Sequence, residues 1–444
     1  MNPNNNQQAM DFIMQNPNLS TPNAFRHELD KNYQFPSLDL LKEISTEVSN
    51  KDVISMHSVI ASKRFQDEQK MQLPIALGRT SDNGIFLFDL AKTPHLLISG
   101  TIGKGRSIAI NAIITSLLYK KRPTELKFVL VDSKMSELTP YKALSGNFLT
   151  AMPDVDKNEM ILSDCNKVIS TLNALVAEME DRYKLFKEAG VRHIETYNDK
   201  LDKEQLDTEK FVADNLQHHF LPYIVVIINE YSDFIMQAGK GFETPILNIA
   251  SKARAVGIHL VLATQQPSLS ITIDKVAFPT QIAFKVHNRE ESLNILNADG
   301  AQQLIGDGDM LFAQGGDITP VQCAWIDKTE INSIVAHISE QLPTFYLLPE
   351  HTPSEQEIEP VSNDIDTTQL DPLFPDVARY VVENQDASTS RIQRFFCIGY
   401  NRAARLVEQL EHAGIIGPDR ALQSREVLIK DLDTLTQRLQ ESEK

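Results

Sequence analysis

A glycine-rich segment at residues 95–107 constrains the fold of this chain more than any other feature. Before the glycines, the apolar run Leu96–Ile98 predicts a buried strand, and after them the apolar periodicity of Ser107–Tyr119 predicts a helix. The loop between these elements contains three glycines, Gly100, Gly103 and Gly105. Because the N–H groups of such a loop and the positive end of the helix both favour an anion, the segment predicts a phosphate-binding loop.

This loop departs from the P-loop pattern at one position. A P-loop has Gly, four residues, Gly, Lys and then Ser or Thr. Gly100, Gly105 and Ser107 match the pattern, but Arg106 stands where the lysine belongs. We still predict that the loop binds ATP, because its backbone N–H groups supply much of the binding; charge from Lys104 is an alternative contribution. The predicted ATP-binding residues are Gly100, Thr101, Ile102, Gly103, Lys104, Gly105, Arg106 and Ser107.

Length, charge and cysteine content narrow the possible functions. A chain of 444 residues predicts two or three domains. Its net charge of -17 limits nucleic-acid contact to a local basic patch. The cysteines Cys165, Cys323 and Cys397 lie far apart, so neither disulfides nor zinc are expected. No apolar run approaches the roughly 18 residues that span a membrane, and no signal peptide is recognisable, so we expect a cytoplasmic protein.

Strand and helix patterns alternate from His95 onwards, which predicts an α/β fold with a mostly parallel sheet. Ahead of them, Leu77–Leu90 predicts a hairpin that turns at Asn83-Gly84, whereas residues 199–220 predict a long loop. The strand candidates are Leu96–Ile98, Lys127–Val131, Ile224–Ile228, His259–Ala263, Gln281–Val286 and Val321–Trp325. The helix candidates are Ser107–Tyr119, Lys167–Ala189 and Thr244–Val256.

Composition also predicts how the chain is divided. The predicted segments are a disordered tail (1–35), a helical segment (36–75) with helices at Leu38–Val48 and Val53–Phe65, an α/β domain (76–348), an acidic linker (349–370), a second compact unit (371–430) and a polar helical tail (431–444).

Two further strands end in polar residues, where ligands of parallel sheets bind. The strand from Ile224 ends in Asn229-Glu230, close to the Asp-Glu of a Walker B strand, in which the acid holds magnesium and the Glu orients water. The strand from His259 ends in Thr264-Gln265, where a polar group can contact the terminal phosphate. Taken alone, each strand is equally well explained as a buried core strand that ends in polar residues without a catalytic role. We predict catalytic roles for Glu230 and Gln265, and magnesium contacts from Ser107 and Asn229.

Arg254 precedes the last of these strands and has two interpretations. Its side chain is either an exposed positive charge on the surface of a helix or an arginine finger that contacts the nucleotide of a neighbouring subunit. We include it among the candidate catalytic residues.

The unit 371–430 has the pattern of a winged helix-turn-helix. Its helices are predicted at Pro372–Glu383, Thr389–Phe396 and Asn401–Ala413, and its short strands at Gly414–Gly417 and Val427–Ile429. The third helix is predicted to begin at Asn401, because asparagine suits both a helix N-cap and a base contact. It carries Arg402 and Arg405 on one face. The predicted DNA-binding residues are Arg391, Gln393, Arg394, Asn401, Arg402 and Arg405; the alternative is a solvated helix face.

Several motifs together resemble the FtsK/SpoIIIE family of bacterial DNA translocases, and they occur in the family's order. They are Leu77-Gly-Arg, Asp89–Gly100, Asp132-Ser-Lys-Met, Glu178–Tyr183, Ala253–His259, Ala263-Thr-Gln, Gly306–Leu311 and Ile398–Arg405. The resemblance implies a RecA-like P-loop NTPase core, a C-terminal winged-helix gamma domain, the cofactors ATP and Mg²⁺, and a ring, typically hexameric, around double-stranded DNA.

The chain departs from the family at Arg106, Asn229, Gln266 and Ser133, where the family has Lys, Asp, Arg and Pro. An arginine fork does not replace a lysine point charge at a tight site, and Asn removes a negative charge from the magnesium shell. We therefore expect impaired hydrolysis. Three functions remain open: a translocase for chromosome partition or DNA transport with an unusual site, a catalytically inactive DNA-binding paralogue that joins or regulates an active ring, and a coupling-type motor for secretion or conjugation.

Overall fold

The computed structural model describes most of the chain, which divides into two compact units, Met1–Thr352 and Pro353–Lys444. Each unit has its own buried hydrophobic core. The described residues are 22–43, 53–93, 95–101, 103, 105–153, 155, 159–208, 211, 216–266, 277–349, 373–385, 387–388, 391–392, 406–407, 409–411, 413–417, 427–429 and 434–435.

Among the described residues, the first unit is built on a ten-stranded sheet. Its strands are β1 (Pro74–Thr80), β2 (Ile85–Asp89), β3 (Leu96–Ser99), β4 (Leu126–Asp132), β5 (Ile161–Leu162), β6 (Tyr223–Asn229), β7 (Ile258–Thr264), β8 (Thr280–Phe284), β9 (Asp309–Gln314) and β10 (Asp317–Cys323). They lie in the order β2-β1-β10-β9-β8-β3-β7-β6-β4-β5. Strands from β8 to β5 are parallel, and those from β2 to β8 are antiparallel. Every residue of β4, β6 and β7 is buried, as in strands covered on both faces.

Helices cover the sheet. Those of the first unit are α1 (Pro22–Asn32), α2 (Met56–Ile60), α3 (Lys63–Gln66), α4 (Arg106–Leu118), α5 (Cys165–Ala189), α6 (Ile194–Asp202), α7 (Tyr231–Ala238), α8 (Lys240–Lys252), α9 (Arg289–Leu296) and α10 (Lys328–Ser339). Short 3-10 helices lie at Leu38–Leu40, Thr139–Gly146, Ala253–Val256 and Ala301–Gln303. The long helix α5 has a clear cause for each end, because Asp164 caps its first turn and Gly190 ends it in the left-handed conformation with φ 64°.

The predicted α/β fold with a mostly parallel sheet is confirmed, and each predicted strand is present with shifted bounds. The predicted hairpin is formed by β1 and β2, and Asn83 adopts φ 63° in its turn. The sequence prediction missed β9, which pairs with β8 and β10. It also treated residues 199–220 as a loop, although α6 reaches Asp202 because Ile194, Tyr197 and Leu201 are buried on one face.

Helix α1 corrects the prediction of a disordered tail over residues 1–35. The guanidinium of Arg26 pairs with Asp202 and lies 4.0 Å from the centre of the Phe220 ring. These contacts attach a polar helix to the first unit. The helix lacks the apolar periodicity by which a helix is recognised in a sequence. Residues 1–21 lie outside the described part of the chain.

The predicted helical segment 36–75 contains two short helices, and its core is shared with the sheet. Helices α2 and α3 bury Met56 and Phe65 in the same core as the strands, and β1 begins at Pro74. Within the described residues, the helix predicted at Leu38–Val48 is only the 3-10 turn Leu38–Leu40.

The second unit is described in parts. Helix α11 (Phe374–Asn384) matches the first predicted helix, and its apolar face joins a cluster with Ile392, Leu406 and Leu410. Ile416 and Val427 form an antiparallel bridge, which agrees with the predicted pair of short strands. Leu435 is buried in the same cluster, so the core continues into the predicted polar tail at 431–444. Except for Pro349, the predicted linker 349–370 lies outside the described residues.

Candidate nucleotide-binding site

The glycine loop leaves the carboxyl end of β3 and enters α4, as the sequence predicts. Gly100 and Gly105 are both required by close packing, because a Cβ on either would lie 2.6 Å from the side chain of Phe284. Gly105 has φ 129° and Gly103 has φ 72°, which side chains rarely adopt. The loop backbone is therefore held against β8, and two of its predicted ATP-binding residues, Ile102 and Lys104, lie outside the described part of the chain.

Thr101 connects the loop to the end of β8. Its N–H and its hydroxyl both donate to the carbonyl of Lys285, at 3.1 and 2.9 Å. Both groups of Thr101, a predicted ATP-binding residue, therefore hold the loop in position. Ser107, in the first turn of α4, is half-buried.

Arg106 does not extend into solvent. Its Nη1 donates to Glu230 Oε2 across 3.0 Å, with only 5% and 3% of the two side chains exposed. Its Nε is buried and has no hydrogen-bond partner among the described residues. The residue that replaces the P-loop lysine is thus paired with the glutamate that follows β6.

Glu230 is surrounded by donors on its other oxygen. Ser232, Thr264 and the N–H of Gln265 donate to Oε1 at 2.6, 3.0 and 3.0 Å. Burial alone raises the pKa of the Glu230 carboxyl, but these hydrogen bonds and the charge of Arg106 outweigh burial and lower the pKa below its usual value. The carboxylate is therefore kept ionised. Its backbone is in the left-handed conformation, φ 63°, at the start of α7.

Asn229 lies beside a second buried carboxylate at the end of β4. Its Nδ2 donates to Asp132 Oδ1 at 3.3 Å, and Asp132 Oδ2 accepts the N–H groups of Ser136, Glu137 and Leu138. Asn229 Oδ1 is buried and has no donor among the described residues. An unsatisfied buried oxygen at this edge of the sheet is able to receive a hydrogen bond or a cation when a ligand binds.

Gln265 and Arg254 lie at opposite ends of β7. Gln265 follows the carboxyl end, next to Glu230. Arg254 precedes the amino end, and a strand of seven residues is about 20 Å long. Within one chain, Arg254 is therefore remote from the glycine loop, whereas the other predicted catalytic and metal residues converge on it.

The sequence prediction missed several residues that shape this site, among them Ser232, Phe284 and Asp132. Ser232 and Phe284 carry no motif signal of their own. Asp132 was recognisable, since it ends β4 in the same way that Asn229 ends β6, and the two residues are paired. Of the predicted DNA-binding residues, the structure describes only Arg391, which is exposed; the others, Gln393, Arg394, Asn401, Arg402 and Arg405, lie outside the described residues.

A glycine loop between a central parallel strand and a buried helix, with polar residues at the ends of the next two strands, β7 and β6, defines a RecA-like P-loop NTPase core. Comparison with known families gives the class. Residues 55–269 match the FtsK/SpoIIIE family and residues 368–430 match the Ftsk gamma domain. The chain belongs to the FtsK/SpoIIIE family.

Similar proteins agree with this assignment. The chain is 40% identical over 398 residues to the DNA translocase FtsK of Chlorobaculum tepidum, covering 88% of this chain and 47% of that protein. It is 39% identical to the DNA translocase SftA of Bacillus subtilis, covering 89% of this chain and 39% of that protein. The chain thus spans less than half the length of these relatives.

Among solved structures, the cytoplasmic domain of the type VII secretion ATPase EccC of Thermomonospora curvata has a similar fold. Its TM-score is 0.53 at 18% identity, over 70% of this chain and 37% of that one. The conjugation coupling protein TcpA of pCW3 has a TM-score of 0.50 at 20% identity, over 67% and 80% of the two chains. In the described part of this chain, no helix is long and apolar enough to cross a membrane.

Proposed function

We propose that this chain is an ATP-binding subunit of a DNA translocase that acts on double-stranded DNA in chromosome partition or DNA transport, and that it hydrolyses ATP slowly. The observation that carries the proposal is the buried ion pair between Arg106 and Glu230. It joins the two positions on which fast turnover depends in a P-loop ATPase.

Nucleotide binding rests on the backbone rather than on Arg106. Gly100, Gly103 and Gly105 shape the loop, and the N-terminus of α4 supplies partial positive charge towards a phosphate. Because these groups do not depend on the side chain of Arg106, we expect ATP and ADP to bind.

Slow hydrolysis follows from how Glu230 is engaged. A glutamate that orients the attacking water has to accept a hydrogen bond from it. Here one oxygen of Glu230 already accepts three donors and the other accepts Arg106. Arg106 in turn is held by Glu230 instead of following the terminal phosphate. Phosphoryl transfer depends on positioning and electrostatics, and losing one such group typically costs about a hundredfold or more in rate.

The residues at the loop are compatible with Mg²⁺. Asn229 Oδ1 is a buried oxygen with no donor in the described part of the chain, and Ser107 offers a hydroxyl at the first turn of α4. Together with the nucleotide, they would hold the ion, which would neutralise charge on the phosphates. Asn229 is a neutral ligand where the family has an acid, so we expect weaker magnesium binding than in an active relative.

Duplex DNA is the expected partner of the second unit, through Arg391, Arg394 and the helix predicted to begin at Asn401. A ring, homo-oligomeric or mixed with an active paralogue, is the expected assembly. The position of Arg254 is consistent with this, because it precedes the amino end of β7 and is remote from the glycine loop of its own chain.

A second candidate function is a catalytically inactive paralogue that joins or regulates an active ring. The Arg106–Glu230 pair favours it, since a subunit with an engaged glutamate can still bind nucleotide and DNA. A coupling-type motor for secretion or conjugation is less well supported, because the match to the gamma domain is to a unit that the DNA translocase family carries.

Two measurements on the purified chain test the proposal. Calorimetric titration with ATP and magnesium should show binding in the micromolar to millimolar range. Steady-state ATP turnover with duplex DNA should be slow. Fast turnover that is lost in Glu230→Gln would contradict the proposed impairment, and absence of nucleotide binding at millimolar ATP would contradict the proposed ATP site.

A further inference from the structure

The segment that contacts the glycine loop carries one apolar side chain that is not packed in a core. Ile305 is 81% exposed and is the most exposed large hydrophobic side chain among the described residues. The preceding residue, Leu304, is buried in a small core formed by α9, β8 and β9. Met310, at the start of β9, is fully buried. Ile305 is therefore directed outward by a segment that is anchored on both sides.

The backbone of the segment 304–309 is specified in detail. Three consecutive residues adopt positive φ: Gly306 at 100°, Asp307 at 53° and Gly308 at 92°. Hydrogen bonds fix the segment: Ile305 N–H donates to Asp309 Oδ2 at 3.0 Å, Gln322 Nε2 to the Asp307 carbonyl at 2.9 Å, and Cys323 N–H to the Gly308 carbonyl at 2.8 Å. Such a costly conformation persists only when its surroundings determine it.

The same segment contacts the glycine loop directly. A Cβ on Gly105 would lie 2.8 Å from Gly308 Cα, so the two backbones are in contact. Ile305 is three residues from Gly308, and consecutive Cα atoms are about 3.8 Å apart, which places Ile305 within about 11 Å of that contact. A nucleotide whose phosphates occupy the glycine loop has its base separated from them by the ribose, a comparable distance.

We infer that Ile305 is the apolar surface on which the base of the bound nucleotide packs. This inference rests on the proposed ATP site and deepens it. Nucleotide sites combine apolar surface for the base with polar groups for the phosphates, and the glycine loop supplies only the second part. An aliphatic side chain contacts the flat face of any base, so it contributes affinity without distinguishing adenine from guanine.

The test compares ligands with and without a base. Inorganic tripolyphosphate, ATP and GTP are titrated, each with magnesium, into the native chain and into Ile305→Ser. The control variant is Ile318→Ser, which removes an exposed isoleucine from the opposite end of β10 to Gln322. Thermal unfolding of each variant checks that the fold is unchanged, as expected for exposed side chains.

We expect Ile305→Ser to weaken the binding of ATP and of GTP about tenfold each and to leave the binding of tripolyphosphate unchanged. A tenfold loss is the effect expected when one face of an aliphatic side chain no longer covers the base. Ile318→Ser should change none of the three. A parallel loss for all three ligands would mean that Ile305 only shapes the phosphate loop, and no loss would mean that the base lies elsewhere. Both results overturn the inference. If the native chain binds neither tripolyphosphate nor ATP, the proposed ATP site itself fails.

Discussion

Arg106 Nη1 lies 3.0 Å from Glu230 Oε2, and the pair is almost completely buried. The two residues are 124 positions apart in the chain and come together because β3 and β6 both neighbour β7. The substitution in the glycine loop and the glutamate after β6 are thus parts of one electrostatic arrangement. Replacing either residue changes the environment of the other.

Breaking this pair should destabilise the protein. Arg106→Met leaves Glu230 buried without its counter-ion, which typically costs about 3–5 kcal/mol. In a Glu230→Gln background the same change should cost clearly less, because no buried charge is left unpaired. Urea denaturation of the native chain, the two single variants and the double variant measures the coupling. Equal costs of Arg106→Met in both backgrounds would show that the pair is not coupled.

The glycine loop offers a sharp comparison of two substitutions. Gly105→Ala should be severely destabilising, because its Cβ meets both Phe284 and Gly308 at less than 3.0 Å. Gly316→Ala is the matched control, since Gly316 also has positive φ, 95°, but has open space where a Cβ would go. We expect about 1–2 kcal/mol for the control, the cost of the left-handed conformation alone, and a clearly larger loss for Gly105→Ala. Similar losses would contradict the packing around Phe284.

A buried histidine should make the protein sensitive to acid. Burial, together with the charge of His259, lowers the pKa of His95 to about 3, and its Nδ1 accepts the N–H of Leu260. An unfolded His95 has a pKa near 6.5, so between pH 6.5 and 3 the unfolded state binds the extra proton. The free energy of unfolding should therefore fall as the pH falls through this window, by up to about 1.4 kcal/mol per pH unit.

His95→Asn provides the control, because asparagine keeps an acceptor but does not titrate. Urea unfolding from pH 7 to pH 5 should show a shallower pH dependence in this variant. An unchanged slope would indicate that other groups carry the acid sensitivity.

The sequence predicts the centre of this fold better than its margins. Leu96–Ile98 and Ile224–Ile228 are continuous apolar runs, and buried parallel strands are recognised from such runs. Helix α1 was missed because Arg26 joins it to the first unit through a charge and a ring rather than through apolar periodicity.

At the site, the individual candidates were visible in the sequence but their pairing was not. Arg106 was identified as a substitution and Glu230 as a retained glutamate, yet no local pattern indicates that they contact each other. The same holds for Asn229 and Asp132, which belong to neighbouring strands. Contacts between distant parts of the chain depend on the strand order, which a single sequence does not give.

DNA recognition should separate into two kinds of residue. Arg402→Ala in the full chain should reduce sequence preference at one position of a random duplex pool, with a loss of about 1–3 kcal/mol on the preferred site. Arg391→Ala should weaken binding to all sequences alike. It should also reduce the slope of log affinity against log salt concentration by about one. Selection from the pool at two salt concentrations distinguishes these outcomes. If neither variant differs from the native chain, the second unit does not direct DNA binding.

The most direct test of the central claim is DNA-stimulated ATP turnover of the native chain beside the Arg106→Lys, Asn229→Asp double variant. The double change restores the lysine and the acid of an active site and frees Glu230 from its guanidinium partner. If the buried pair impairs hydrolysis, turnover should rise by about a hundredfold or more and should be lost again when Glu230→Gln is added. Native turnover equal to that of the double variant would contradict the account.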